Sequence, residues 1–191
     1  QYSNAVSCWS KDPTVAVDKP FARTIIGWSN CYGVLRWLNV PGTLSEGMMH
    51  DYLPETYRLM NIDYKRQESF YFAKTFMEYY CGGQLPYGAI GGKIHDDYQK
   101  QIFPDYCPRK NTRDVYRPIL KGVVELWQDG QKLDSYTTDT LYNGCYFFWN
   151  LKPGTYVVKA VPEGYYPQED TVVVENNKIS YAIFGLSLMR Q

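Results

Sequence analysis

The chain has 191 residues, a length that accommodates one large domain or two small ones. Its 20 basic residues balance its 20 acidic ones, so charge gives no argument for binding nucleic acid or an anionic membrane. No apolar run approaches the ~20 residues of a transmembrane helix, and the 19 Tyr within an aromatic content of 17% exclude a disordered chain.

The cysteines and the start of the chain favour a secreted protein. The sequence does not begin with Met, as expected for a mature chain whose leader has been removed. Five cysteines suit an oxidising compartment, and they lack the spacing of metal sites, so we expect no metal and no cofactor. Two disulfides of moderate loop length are our preferred pairing, although spacing leaves the connectivity open. The pairs are Cys8 with Cys31 and Cys81 with Cys107, which leaves Cys145 as a buried free thiol.

The first sixty residues carry weak periodic signals. Residues 14–17 form a short β-prone piece, and residues 21–40 are rich in β-branched and aromatic side chains. The latter predict one or two strands or a buried irregular segment. Residues 45–60 are predicted to be helical on either side of Pro54, which suits the first turn of a helix.

A longer helix is predicted over residues 62–81. Asn61 or Asp63 can cap its N-terminus, and Gly82-Gly83 supplies a left-handed stop at its C-terminus. Apolar side chains recur in it at helical spacing and predict a core-facing stripe, which comprises Phe72, Phe76, Met77 and Tyr80.

A second, shorter helix is predicted over residues 94–103. The segment that follows, residues 108–114, is polar and highly charged, so we place the domain junction there. This divides the chain into a mixed α and β, disulfide-containing module over residues 1–112 and a second module over residues 113–191.

The clearest signals of the chain lie within residues 121–166. Short runs with period-two alternation are separated by Gly-containing dipeptides that suit tight turns. Tyr156, Val158 and Ala160 share one face of such a run, a pattern typical of a half-buried antiparallel strand. This stretch therefore predicts a small β-sandwich. The turn dipeptides are Asp129-Gly130, Asn143-Gly144, Pro153-Gly154 and Glu163-Gly164.

The strands and turns of residues 115–191 follow a recognisable order. It runs through Gly122-x-Val124-x-Leu126, Asp129-Gly130, Thr138-Asp139, Gly144-x-Tyr146-x-Phe148-x-x-Leu151-x-Pro153-Gly154-x-Tyr156-x-Val158 and Pro162-x-Gly164-Tyr165. This order resembles the prealbumin-like repeat, whose members include the carboxypeptidase regulatory-like domain and the CNA-B or SpaA-type modules of bacterial surface proteins. The resemblance implies an all-β prealbumin-like (Ig-like) sandwich after the α+β N-terminal module, which we do not recognise. It also implies a non-catalytic stalk, spacer or accessory domain.

The same alternation predicts the core of the sandwich. Trp127 or Trp149 should be partly buried. The last strand, residues 179–189, has apolar side chains at both parities, so it requires a bulge near Gly185 or cover on both of its faces. The predicted core comprises Val124, Leu126, Tyr146, Phe148, Leu151, Tyr156 and Val158.

Residues 88–93 approach the phosphate-loop motif without matching it. Tyr87 stands where the first glycine of that motif belongs, and Ile94 stands where Ser or Thr must bind magnesium. A glycine-rich surface loop is therefore predicted here.

Two histidine clusters are the remaining candidates for chemistry. Metal or general-base chemistry would need the pair His50-Asp51 and the triplet His95-Asp96-Asp97 to meet, and nothing in the sequence brings them together. We predict solvated loop side chains instead. Because signatures of nucleophilic catalysis are absent as well, we expect that the protein is not an enzyme.

The resemblance also implies one covalent feature. Many CNA-B-type modules carry a Lys–Asn isopeptide cross-link formed beside a buried carboxylate. The candidates here are Lys121, Glu163 and Asn176, although Asn176-Asn177 also reads simply as a turn.

Three functional classes remain. The favoured one is a secreted structural or adhesive subunit of an extracellular assembly at the cell surface, such as a pilus, filament or surface layer. Its partners would be protein subunits in a homo-oligomer or filament. The second class is a glycan-binding module that stacks Trp and Tyr rings on sugars. The third is an accessory subunit of a larger secreted or periplasmic enzyme.

The two ends of the chain indicate how an assembly could form. Residues 179–189 carry no charge, whereas native proteins normally charge, twist or cover their edge strands. Residues 1–19 form an arm with few signs of a core of its own. We hypothesise that one terminal segment docks on a neighbouring subunit by strand addition or in an aromatic groove. The alternative is an arm that packs on its own chain, held by Cys8.

Overall fold

In the computed structural model, residues 51–102, 108 and 112–189 are described. The helices are α1 (Leu53–Met60) and α2 (Ile62–Tyr80). The strands are β1 (Gly88–Lys100), β2 (Tyr116–Pro118), β3 (Val123–Gln128), β4 (Gln131–Thr137), β5 (Cys145–Leu151), β6 (Gly154–Ala160), β7 (Gln168–Val174) and β8 (Ile179–Leu186). Within these ranges, no helix has the length and apolar character needed to cross a membrane.

The strands form two four-stranded sheets that pack as a β-sandwich. In sheet A, β1 pairs antiparallel with β2 and β5 and parallel with β8. Sheet B has the order β4-β3-β6-β7, with antiparallel pairing throughout. The sequence predicts helices followed by a two-sheet sandwich, and the structure confirms this fold class.

The compact unit that contains both sheets comprises residues 49–69 and 84–191. It includes β1, which lies on the N-terminal side of the junction predicted between residues 112 and 113. The helix predicted over residues 94–103 is wrong, because residues 94–100 belong to β1 and pair with neighbouring strands. The second unit contains residues 70–83 and therefore the C-terminal part of α2.

β1 is the central strand of sheet A. It pairs with β8 from Ala89 to Asp96 and with β5 from Gly88 to Lys93, so β8 and β5 must lie on opposite sides of it. After Lys93, β2 replaces β5 as the partner of β1 on the same side, and it pairs from His95 onward. Among the described residues, β8 has no other paired strand and forms one edge of sheet A, while β5 and β2 form the other.

Glycines allow β1 to occupy this crowded position. A Cβ at Gly92 would overlap the carbonyl of Ala182 and the ring of Tyr146, and a Cβ at Gly88 would overlap the backbone between β7 and β8. The surface loop predicted over residues 88–93 is therefore wrong. Glycine is needed here because neighbouring backbone and side chains approach the strand closely.

Tyr146 ties β5, β1 and β8 together. Its side chain starts on β5, passes Gly92 of β1 and donates from its hydroxyl to the carbonyl of Ala182 on β8, at 2.6 Å. The side chain is 0% exposed, and burial raises the pKa of its hydroxyl. A hydrogen bond of this kind contributes about 0.5–1.5 kcal/mol net, and Phe at this position would lose that contribution.

The helices largely follow their predictions. Asn61 caps α2 by accepting the backbone N–H of Tyr64 on Oδ1 at 2.8 Å, and Gly82 adopts a φ of 60° just after the helix ends. The core stripe predicted on α2 is wrong at Phe76 and Tyr80, which are 56% and 61% exposed and stack on each other.

α1 carries Pro54 in its first turn, as predicted. The rest of the helix prediction over residues 45–60 lies outside the described residues. The same holds for the predictions over residues 14–17 and 21–40 and for the N-terminal arm.

The predicted core of the sandwich is confirmed. Leu151 packs at its margin, Trp127 is partly buried and Trp149 is 58% exposed. Fully or almost fully buried are Val124, Leu126, Tyr146, Phe148, Tyr156 and Val158.

β8 turns one apolar face inward and the other outward. Its register with β1 runs without a shift along the whole strand, so the bulge predicted near Gly185 does not form. Tyr181 and Ile183 lie on the outer face of sheet A and are 43% and 49% exposed. The residues that face the core are Ala182, Phe184 and Leu186.

The turn dipeptides act as predicted in the hairpin between β3 and β4. Asp129 and Gly130 have φ values of 51° and 77°, and they connect the paired residues Gln128 and Gln131. Positive φ at both central residues matches the twist of the flanking strands and closes a two-residue turn.

Replacing Phe148 by Ala should lower the free energy of unfolding by about 3–5 kcal/mol, because the side chain is 3% exposed and its removal leaves a cavity. Trp149→Ala is the matched control, since this neighbouring ring is 58% exposed. Urea unfolding of both variants measures the difference. Unchanged stability of Phe148→Ala would show that the inward face of β5 is assigned incorrectly.

Candidate functional site

The structure describes two of the five cysteines. Cys81 has an exposed free thiol, so the predicted Cys81–Cys107 disulfide is not formed in this structure. Cys145 is a buried free thiol, as predicted, and burial raises its pKa to about 11. Cys8, Cys31 and Cys107 lie outside the described residues, and the pairing of Cys8 with Cys31 stays a prediction.

The isopeptide candidates lie in exposed turns. Lys121 has a φ of 54° in the turn before β3, Glu163 lies between β6 and β7, and Asn176 lies between β7 and β8. All three are exposed. Such a cross-link needs a buried carboxylate beside the lysine, and Glu163 does not have that environment.

His95 is buried in β1, so the prediction of a solvated loop side chain is wrong for this residue. It is 0% exposed, and among the described residues neither ring nitrogen has a hydrogen-bond partner. Asp97 Oδ1 lies 3.2 Å from Nε2 but outside hydrogen-bonding geometry, and the ring of Tyr116 packs 5.3 Å away. Asp51 is exposed, and His50 lies outside the described residues.

The surroundings keep the imidazole of His95 neutral. Burial is the largest cause that lowers its pKa, from 6.5 to about 4. The positive charges of Lys93 and Arg113 lower it further, and the carboxylate of Asp97 opposes them. Within the described ranges, no group of three or more His, Cys, Asp or Glu side chains is arranged to hold a metal ion.

A buried charge cluster joins α1 to sheet A. Arg58 of α1 donates to Asp114 at 2.7 Å, Tyr52 donates to the same carboxylate at 3.1 Å, and Lys93 Nζ of β1 lies 3.9 Å from it. Burial alone would raise the pKa of Asp114, but the hydrogen bond and charge of Arg58 outweigh this and lower it. Burial also lowers the pKa of Lys93.

A second polar contact holds the junction of α1 and α2. Asn61 donates to Asp139 at 2.8 Å, and Asn143 donates to Asp139 at 2.9 Å and to the carbonyl of Tyr57 at 3.2 Å. Asn61 and Asn143 are both buried. Such satisfied polar groups fix one docking geometry for the helices, which is a structural use of these residues.

The edge of sheet A at β8 is the best candidate for an interaction site. We call residues 179–184 of β8 the open edge. The carbonyl of Gly185, just beyond it, accepts from Gln168 at 2.8 Å, so this carbonyl points away from β1. Because the direction of backbone groups alternates along a parallel strand, the N–H and C=O groups of Tyr181 and Ile183 also point away from β1.

Both edge strands of sheet B are protected by charge, whereas β5, at the other edge of sheet A, carries no charged residue. β4, at the edge of sheet B, carries Lys132 and Asp134. β7, at the opposite edge, carries Glu169 and Asp170, and its Val173 carbonyl accepts from Ser180 at 2.6 Å. The open edge has no charged residue, so it lacks the charge that commonly prevents edge-to-edge pairing.

No protein-family model matches the chain, and no curated protein matches it. The Bacillus anthracis TIE protein matches 54% of this chain and 17% of its own, with 17% identity and a TM-score of 0.38. The minor pilin GBS52 of Streptococcus agalactiae matches over 56% of this chain and 47% of its own, with 18% identity and a TM-score of 0.38. The group B streptococcus pilus 2b backbone protein matches over 53% of this chain and 41% of its own, with 15% identity and a TM-score of 0.33. The chain thus spans less than half the length of these proteins, and similarity at this level does not establish a shared function.

Sequence reasoning found the uncharged open edge but missed the buried charge cluster. Arg58 and Asp114 are 56 positions apart, and no short motif links them. The one available signal was an apolar strand interrupted by Lys93, which needs a partner if it is buried.

The state of His95 predicts an acid-dependent stability. The folded pKa of about 4 lies below the ordinary 6.5, so the unfolded chain binds the proton more tightly. The free energy of unfolding should therefore be highest above about pH 6.5 and should fall by about 2 kcal/mol on acidification to about pH 5. Urea unfolding at the two pH values measures this loss.

Substitution of the histidines separates this effect from other titrations. His95→Gln should remove most of the pH dependence between those values, whereas His50→Gln should retain it. An equally steep loss in His95→Gln would show that other groups cause it.

Proposed function

We propose that this chain is a secreted, non-catalytic structural subunit of an extracellular assembly at the cell surface. Its prealbumin-like sandwich contacts a neighbouring copy through the open edge of β8. One observation carries the proposal: β8 is an uncharged edge strand with half-exposed apolar side chains, whereas both edge strands of sheet B carry charge. Strand addition at such an edge gives affinity through backbone hydrogen bonds and specificity through alternate side chains.

The side chains at this edge suit a protein partner. Tyr181 and Ile183 lie on the outer face of sheet A, where a strand added at this edge would place its own side chains beside them. Tyr combines apolar area with a polar tip, which is common at wet interfaces. A balanced net charge allows copies of the chain to approach without long-range repulsion.

Ile183→Lys tests the proposal by placing a charge on the open edge. The natively purified protein should form oligomers or filaments, and the variant should be mainly monomeric, because an edge charge opposes strand pairing. Sedimentation and light scattering at matched concentrations measure the size. Thermal unfolding checks that the variant stays folded, as expected for a side chain that is 49% exposed.

Leu133→Lys is the matched control. Leu133 is 52% exposed on β4, an edge strand that already carries charge, so this variant should assemble as the parent does. A monomeric parent, or an Ile183→Lys variant that assembles normally, would contradict the proposal. Co-purification of a monomer with a large catalytic subunit would support the accessory-subunit class instead.

A further inference from the structure

A groove at one end of the sandwich has the composition of a ligand site. Its volume is about 480 Å³, within the range of roughly 300–1,000 Å³ that small-molecule sites occupy. We call it the tyrosine groove. It is lined by Asp96, Tyr98, Tyr166, Ser187 and Leu188.

The groove presents two aromatic rings to solvent. Tyr98 is 78% exposed and Tyr166 is 53% exposed, and Leu188 beside them is 45% exposed. Tyr98 lies in the part of β1 where its pairing with β2 shifts register, between His95 and Lys100. Such irregularities in a strand commonly re-aim a side chain toward a site.

Asp96 supplies a buried acceptor in the same groove. Its Oδ1 accepts the backbone N–H groups of Tyr98 and Gln99 at 2.8 and 2.7 Å, and its Oδ2 accepts the hydroxyl of Tyr165 at 3.1 Å. Two carboxylate oxygens offer about four lone-pair positions, so these three donors leave room for one more. The existing bonds also hold the carboxylate rigidly in place.

We infer that the tyrosine groove binds a neutral glycan. A pyranose ring has C–H faces that stack on aromatic rings and a rim of hydroxyls that donate to fixed acceptors. Tyr98 and Tyr166 provide the rings, while Asp96 and Ser187 provide the polar partners. No basic side chain is among the lining residues of the described chain, and the carboxylate repels acidic sugars.

Direct binding to defined oligosaccharides tests this inference. The full-length chain is titrated calorimetrically with maltohexaose, cellohexaose, mannohexaose and xylohexaose, and with oligogalacturonate and oligolysine as charged probes. At least one neutral probe should bind with a Kd below about 1 mM, and oligogalacturonate should bind more weakly. Binding of oligolysine alone, or of no probe, would overturn the inference.

Variants then locate the binding. Tyr98→Ala and Tyr166→Ala should each weaken the Kd for the best neutral probe about tenfold, whereas Tyr98→Phe should stay within about threefold because it keeps the ring. Tyr142→Ala, which removes a 44% exposed Tyr outside the groove, is the matched control and should bind as the parent does. Glycan binding that survives both groove substitutions would place the site elsewhere and overturn the assignment. The outcome is independent of assembly at the open edge, because Ile183 is not part of the groove.

Discussion

The contact between Tyr146 and Ala182 across Gly92 is the constraint on which the rest of the structure depends. It links β5, β1 and β8 in one buried hydrogen bond of 2.6 Å, and it requires glycine at the strand between them. With β8 held parallel to β1, its outer side becomes one edge of sheet A. The open edge and one wall of the tyrosine groove both follow from that placement.

The helices add polar rather than purely apolar contacts to this framework. Arg58, Asp114 and Lys93 are largely buried, and a buried ion pair often costs as much in desolvation as it gains in attraction. We expect such a cluster to contribute more to a unique docking geometry than to net stability. It links α1 to β1 of sheet A through the shared carboxylate of Asp114.

The sequence predicts the parts of the fold whose signals are local. Turn dipeptides and alternation identify the hairpin at Asp129-Gly130 and the core positions of β5 and β6. β1 escapes prediction because its glycines resemble a loop, while its polar end at residues 95–100 resembles a solvated segment. The parallel pairing of β1 with β8 joins residues about ninety positions apart, and only tertiary structure reveals it. His95 and the tyrosine groove depend on that pairing, so sequence reasoning could not place them.

Amide hydrogen exchange of the native full-length chain tests most directly whether β1 belongs to the core of the sandwich. The amide of Ala89 donates to Lys178, and the amide of Ile94 donates to Gly144. Both amides should exchange with a free energy within about 1 kcal/mol of the slowest amides of β5, because one cooperative unit opens them together. Rapid exchange at Ala89 and Ile94 while β5 stays protected would contradict the account.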